Sequence, residues 1–346
     1  MPIDRPPSGQ GVLTVHVSTN LAAPDFAARK GLAVPRLPMR FVAIWIALAG
    51  LGAICAVLLP RSVAPITLQT VLPFAAFLTI AAMGQALVLM ARSIDLSVPS
   101  IVALSSAVLL GVSHGNDERL WLAITAALLA AVAIGAINAF FVAVLRMNGL
   151  VVTLATGAIV GGVTLWYRQG LAAEAKVPLG LASFAGGHLW DVPVAAWFAV
   201  AVMAILTIGL RKTLAGRRFE AVGANPRAAH ACGIRTTRYQ GGAFILASLL
   251  YGVLAVLLSG FIRNPTLEVG NPYLLAPIAA AVLGGTAISG GIGSMVAVLG
   301  ASLFVMQLDQ ASKMMGLATS WQLIVQGLAI VAGMWLSEAS SKAGRR

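Results

Sequence analysis

Apolar stretches of about 20 residues, separated only by short polar clusters, recur along nearly all of this chain, and they constrain its fold more than any other feature. Hydrocarbon about 30 Å thick takes roughly 20 apolar residues per helical crossing, and unpaired backbone groups are not tolerated there. The pattern predicts an all-α fold, a polytopic membrane helical bundle. Alternating ten-residue segments, the mark of a membrane barrel, do not occur. Only 10% of the 346 residues are charged, whereas a soluble domain carries roughly 25%. Apolar windows place about ten transmembrane helices, near 40–59, 68–91, 97–112, 120–145, 150–166, 193–210, 240–261, 273–288, 294–310 and 319–336.

A net charge of +12 would suggest nucleic acid in a soluble protein. Here the cations sort by side, because cytoplasmic loops retain Lys and Arg during insertion. With the N-terminus inside, 17 of the 23 cations fall on the inner side and six outside. Both termini are therefore expected to be cytoplasmic, and no nucleic-acid partner is expected. Residues 1–39, with six prolines, read as a disordered cytoplasmic tail, 40–337 as the transmembrane domain and 338–346 as a basic cytoplasmic tail. The long outer loop, roughly 167–192, is either a docking surface or a plain connector.

A phosphate-cradling loop needs a Gly-Lys-Ser or Gly-Lys-Thr ending, and the chain has no Gly-Lys dipeptide. Its four histidines fall in loops or the tail, without HExxH or a Cys/His cluster, so neither catalytic residues nor a metal site are expected. Cys55 and Cys232 lie in different regions and imply no disulfide. No span keeps a carboxylate near its centre, which argues against an ion-coupled carrier. The polar groups within spans are neutral, among them Gln85, Asn138, Thr153, Thr156, Ser248 and Gln326, with Asp95 near a predicted membrane edge. Such groups suit a pathway for an uncharged, hydroxyl-rich substrate. They equally serve as hydrogen-bonding glue between helices. For Asp95 the plain reading is a helix cap, shared with Ser97, ahead of Pro99 in the first turn. Pro277 and Gly284-Gly285 interrupt the short eighth segment, as in helices broken around a cavity.

The basic loop from Arg211 to Arg238 holds seven cations and a complete short helix. Asn225 can cap it, Pro226 fits its first position, and Gly233 can take the left-handed turn that closes it. A rod of about 10 Å results. So short a helix is marginal in water, so packing must hold it, as a rigid coupling element would require. An ordinary capped surface helix remains the alternative.

Four blocks resemble the permease subunits of bacterial ATP-binding cassette importers for ribose, xylose and galactose, within the branched-chain amino acid and monosaccharide permease superfamily. They are Ile94-Asp95-Leu96-Ser97-Val98; Gly135-x-x-Asn138 with Val152-Thr153-Leu154-x-Thr156; Gly216-Arg217-Arg218 through Gly223-x-Asn225 to Ala228-Ala229 and Gly233; and Leu283-Gly284-Gly285-Thr286 through Ser289-Gly290-Gly291-x-Gly293-Ser294. Arg92, Ser93, Pro99 and Ala139 stand where that family carries glycines, Gly149 where it carries proline, Arg227 where it carries an acid and Ile292 where arginine is frequent. The resemblance implies a permease of the bacterial inner membrane that forms the pathway for a monosaccharide. It implies a second permease subunit, identical or different, a cytoplasmic ATPase that binds the ATP and Mg, and a periplasmic sugar-binding protein. No cofactor is implied in this chain. It also implies that Gly216, Arg217, Arg218, Gly223, Asn225, Ala228, Ala229 and Gly233 carry the coupling to the ATPase. The turn at Gly290, Gly291 and Gly293 is either a second inner contact or a tight interhelical turn. The runners-up are a permease for branched-chain amino acids or another small solute, and an ion-coupled secondary carrier.

Overall fold

The structure, a computed structural model, describes residues 39–171, 175–318 and scattered residues between 320 and 331. In chain order the helices are α1 (Met39–Leu58), α2 (Pro65–Met90), α3 (Val98–Ser113), α4 (Leu120–Ala139), α5 (Gly149–Gln169), α6 (Leu179–Ala185), α7 (Val194–Lys212), α8 (Leu214–Ala224), α9 (Pro226–Ala231), α10 (Thr236–Ile262), α11 (Ala276–Leu283) and α12 (Met295–Met314). A π-helical turn, Phe140–Val144, extends α4. Two-residue strands His188–Leu189 and Val192–Pro193 form a hairpin before α7. Among the described residues, seven helices are long and apolar enough to cross a membrane.

The core is built around α2. Every residue from Ala75 to Met90 is buried, as expected of a helix that is apolar on all sides. Around it stand α7, α10, α11 and α12. Pro73 lies within α2, and membrane helices tolerate such a break because neighbours re-satisfy the freed backbone groups. Beside it, Phe74, Phe77 and Phe261 of α10 meet edge to face, with ring centroids 5.4–6.2 Å apart. The outer helices keep large apolar side chains exposed, such as Ile159 and Trp166 on α5 and Ile205 and Ile208 on α7. Those faces suit hydrocarbon.

Two apolar helices are short. α3 has 16 residues, and the segment expected at 273–288 holds only the eight residues of α11. At 1.5 Å per residue the latter spans about 12 Å, far below a bilayer core. Its cause is local: Gly284 ends the helix and Gly285 follows with φ 78°, a left-handed conformation that glycine adopts freely. Against the ten spans expected, seven long helices and two shorter apolar ones stand among the described residues. Most of the expected span at 319–336, Gln326 included, lies outside the described residues, as do residues 1–38 and 338–346.

Candidate functional site

α2 ends at Met90, and residues 91–97 turn back into the bundle before α3 begins. There Gln85, Asp95, Ser97, Asn138 and Thr153 come together with Tyr251 of α10, every one fully buried or nearly so. With its amide oriented to satisfy every neighbour, Gln85 accepts from the Asp95 N–H (3.2 Å) and donates to the Asp95 carbonyl and the Tyr251 hydroxyl, both at 3.1 Å. The Asp95 Oδ1 accepts from the N–H (2.9 Å) and hydroxyl of Ser97. Asn138 Nδ2 donates to Ser97 Oγ at 3.0 Å. From α5, Thr153 Oγ1 accepts from the Leu96 N–H (3.0 Å) and donates to the Ile94 carbonyl (3.3 Å). Asp95 Oδ2 and Asn138 Oδ1 are buried without a hydrogen-bond partner among the described residues.

Four helices, α2, α4, α5 and α10, are therefore clasped around one loop. Asp95 does not cap α3 in the expected way: its carboxylate bonds Ser97 itself, and Ser97 caps no N–H of α3 through its side chain. Thr156 is 8% exposed and makes no side-chain bond to this cluster among the described residues. Gln326 lies outside them.

A second site forms at the Met90 end of α2. α8 starts at Thr213, whose hydroxyl accepts from the Gly216 N–H at 3.0 Å, and buries Phe219 and Val222 against the bundle. Burial pushes the carboxyl of half-buried Glu220 up, and the Arg211 guanidinium works against that shift. α9 follows as the sequence predicts: Asn225 Oδ1 accepts from the Ala228 N–H at 3.1 Å, Pro226 opens the helix, and Gly233 closes it at φ 79°. Ile234 N–H returns to the Ala229 carbonyl at 3.0 Å. Arg227, Ala228, His230 and Ala231 are exposed, while Ala229 is buried. Replacing Asn225 by alanine removes the cap, at a cost of about 1 kcal/mol. Hydrogen exchange of the α9 amides should quicken roughly fivefold, with no change in the amides of α2.

Behind α9, three backbones meet without side chains between them. Gly291 N–H donates to the Met90 carbonyl at 2.9 Å. A methyl group on Gly223 would lie 2.6 Å from Gly291 N and 2.8 Å from its Cα, and closer still to the Met90 oxygen. Gly290 and Gly291 take φ values of 90° and 78° and are buried, whereas Ile288, Ser289 and Ile292 beside them are exposed. Arg92 sits in the left-handed region at φ 66°, where the resembling family has glycine, and its side chain lies close over Gly290.

At the far end of α2 are two adjoining hollows. One, of about 710 Å³, lies between α2, α10, α11 and α12 and is lined by Phe74, Leu78, Phe261, Tyr273 and Asp309, among others. The other, of about 610 Å³, is lined by Arg168, Gln169 and Asn264 and shares Thr266 and Glu268 with the first. From Thr70 on its wall to Met90 is about 30 Å along α2. None of Gln85, Asp95, Asn138 and Thr153 lines either hollow.

Reading the sequence alone missed α8 and Tyr251. Thr213 three residues before Gly216, then the apolar spacing of Leu214, Phe219 and Val222, would have signalled the first. A tyrosine inside a span needs a partner for its hydroxyl, which would have pointed from Tyr251 to a buried amide. The small-residue pair Ser106 and Ser259, hydroxyl to hydroxyl at 2.9 Å between α3 and α10, was equally silent.

Residues 67–334 match the family model described as "Branched-chain amino acid transport system / permease component". Over 289 residues the chain is 32% identical to the ribose import permease protein RbsC of Bacillus subtilis, covering 83% of this chain and 89% of that protein. It is 29% identical over 327 residues to the L-arabinose transport system permease protein AraH of Escherichia coli, covering 91% and 97%. To the autoinducer 2 import system permease protein LsrC of E. coli it is 34% identical over 270 residues, 77% of each chain. No solved structure matches.

Proposed function

The chain belongs to the permease-component family of branched-chain amino acid transport systems, and on that premise we propose that it is the membrane subunit of an ATP-driven importer of a monosaccharide. Ribose and L-arabinose permeases among its relatives support the cargo. The autoinducer 2 relative keeps another small polar solute as the competing cargo. The chain would sit in the bacterial inner membrane with about ten crossings and both termini inside, 40–337 forming the permease domain between two cytoplasmic tails. The cation-rich loop 211–238 supports that orientation.

One observation carries the ATP-driven part: α9 is short, capped at both ends, exposed on one face and follows directly on α8, whose Gly223 packs backbone to backbone against the end of the central helix. A cytoplasmic ATPase, holding the ATP and Mg, would dock on Ala228 to Gly233, with Gly216, Arg217 and Arg218 steadying α8 behind it. Since Gly290 and Gly291 are buried, any second inner contact would be made by their exposed neighbours Ile288 and Ile292. A second permease subunit and a periplasmic sugar-binding protein complete the assembly, the latter meeting the outer loops that include α6 and the hairpin. Closure of the ATPase pair would displace α9, and the Gly223 contact would carry that displacement to Met90 and the Asp95 loop. Only a state-dependent difference in binding energy can drive such a shift.

Reconstitution tests this directly. Proteoliposomes with the ATPase and the sugar-loaded binding protein should accumulate sugar on ATP addition, and the chain alone should accumulate none. Uptake by the chain alone down an ion gradient would overturn the reading. A screen of pentoses, hexoses and branched-chain amino acids against the binding protein separates the cargoes.

A further inference from the structure

We infer that the two hollows joined at Thr266 and Glu268 form the outer reception site for the sugar, an inference that rests on the importer reading above. Their position fits: they lie about 30 Å along α2 from the backbone contact behind α9, close to the thickness of a hydrocarbon core. Size fits as well, since about 710 Å³ falls within the range of small-molecule sites.

The chemistry of the walls selects the ligand class. A monosaccharide presents an apolar ring face of C–H groups and a rim of hydroxyls. Phe74, Phe261 and Tyr273 supply aromatic surface to the larger hollow. Arg168, Gln169 and Asn264 supply donors and acceptors in the smaller one. At the junction stands Glu268, exposed and without an ion pair among the described residues, whereas Asp309 is already held by Lys313 at 2.6 Å. Glu268 is thus the carboxylate with acceptor capacity to spare for sugar hydroxyls. A lipid tail in the same space would leave Glu268 and Asp309 facing hydrocarbon, which is costly. Leu78 and Leu258, both buried, lie at the inward limit of the larger hollow. Two helical turns further along α2 is Gln85, in the closed cluster around Asp95, so the pathway is shut on that side.

The test uses right-side-out vesicles carrying the whole transporter, supplied with sugar-loaded binding protein, and two variants. In Thr266→Cys, an exposed position, a charged membrane-impermeant thiosulfonate added outside should cut uptake by about tenfold, equivalent to roughly 1.4 kcal/mol. Saturating sugar-loaded binding protein should slow that labelling. The unaltered chain is its own control, because Cys55 is buried and Cys232 lies at the α9 end. Phe261→Ala should lower uptake by a similar factor while binding-protein-stimulated ATP hydrolysis persists. If labelled Thr266→Cys imports sugar as fast as unlabelled, or reacts only with a hydrophobic maleimide from the lipid phase, the reception site is overturned. If Phe261→Ala imports at the rate of the unaltered chain, the aromatic wall has no part in it and the inference likewise falls. Should the unaltered transporter import no monosaccharide at all, the importer reading itself fails, a result distinct from either.

Discussion

Gly223→Ala is expected to reduce ATP-driven uptake by at least about tenfold, whereas Gly242→Ala, the same change on α10, leaves it intact. The contrast follows from what surrounds each residue. Around Gly242 no described residue lies within 4 Å of an added methyl, and alanine there gains helix propensity. At Gly223 the methyl meets the backbone of Gly291 and Met90 on both sides, and neither can rotate away as a flexible side chain would. Overpacking a closed contact costs about 1–3 kcal/mol. Relief requires the Gly291 turn and the Met90 end of α2 to give way before the methyl of α8, which strains the Gly291 to Met90 hydrogen bond. The variant should keep basal ATP hydrolysis yet lose coupled transport, and its Gly291 amide should exchange faster. Transport at the unaltered rate would remove the Gly223 contact from the coupling route.

Gln85→Met is expected to destabilise the folded permease by about 3 kcal/mol or more, although methionine has nearly the same shape and is the more apolar residue. Three groups lose their partner at once: the N–H and C=O of Asp95 and the hydroxyl of Tyr251. Each buried unsatisfied group costs about 1–3 kcal/mol. By comparison Thr125→Val removes only a bond to its own helix, at the exposed Trp121 carbonyl, and should be nearly silent. Thermal unfolding of the two variants in the same detergent decides the matter. Equal melting points would mean that the clasp around Asp95 contributes little to stability.

The long helices were legible because a bilayer demands length and apolarity together, and few sequences satisfy both by chance. α9 was legible for a different reason: its cap, its first-turn proline and its closing glycine are all local chemistry, readable within nine residues. The burial of α2 was not, since its composition differs little from that of α4, whose Trp121, Leu122 and Leu129 remain exposed. Which apolar helix lies inside is decided by partners far off in the chain. Likewise Gln85, Asp95, Asn138 and Thr153 were picked out as polar groups within or beside spans, but that they bond chiefly to one loop and to one another depends on distant pairings. The hollows at Glu268 gave no signal at all. Their walls come from α2, α5, α10, α11, α12 and the loop after α10, and none of those segments carries a local pattern that marks a cavity.

The bond between Gln85 and Tyr251 joins residues 166 positions apart, and that separation has a consequence for how the chain is made. At a synthesis rate of about 5–20 residues per second, roughly 10 to 30 s pass between the emergence of the two residues. During that interval α2 has left the ribosome and reached the bilayer, but α10, α11 and α12, which will enclose it, do not yet exist. Its buried amide and the Asp95 carboxylate must be sheltered meanwhile, by the insertion machinery or by staying near the headgroups. Biogenesis of this permease is thus expected to depend on an insertase that holds α2 until α10 arrives.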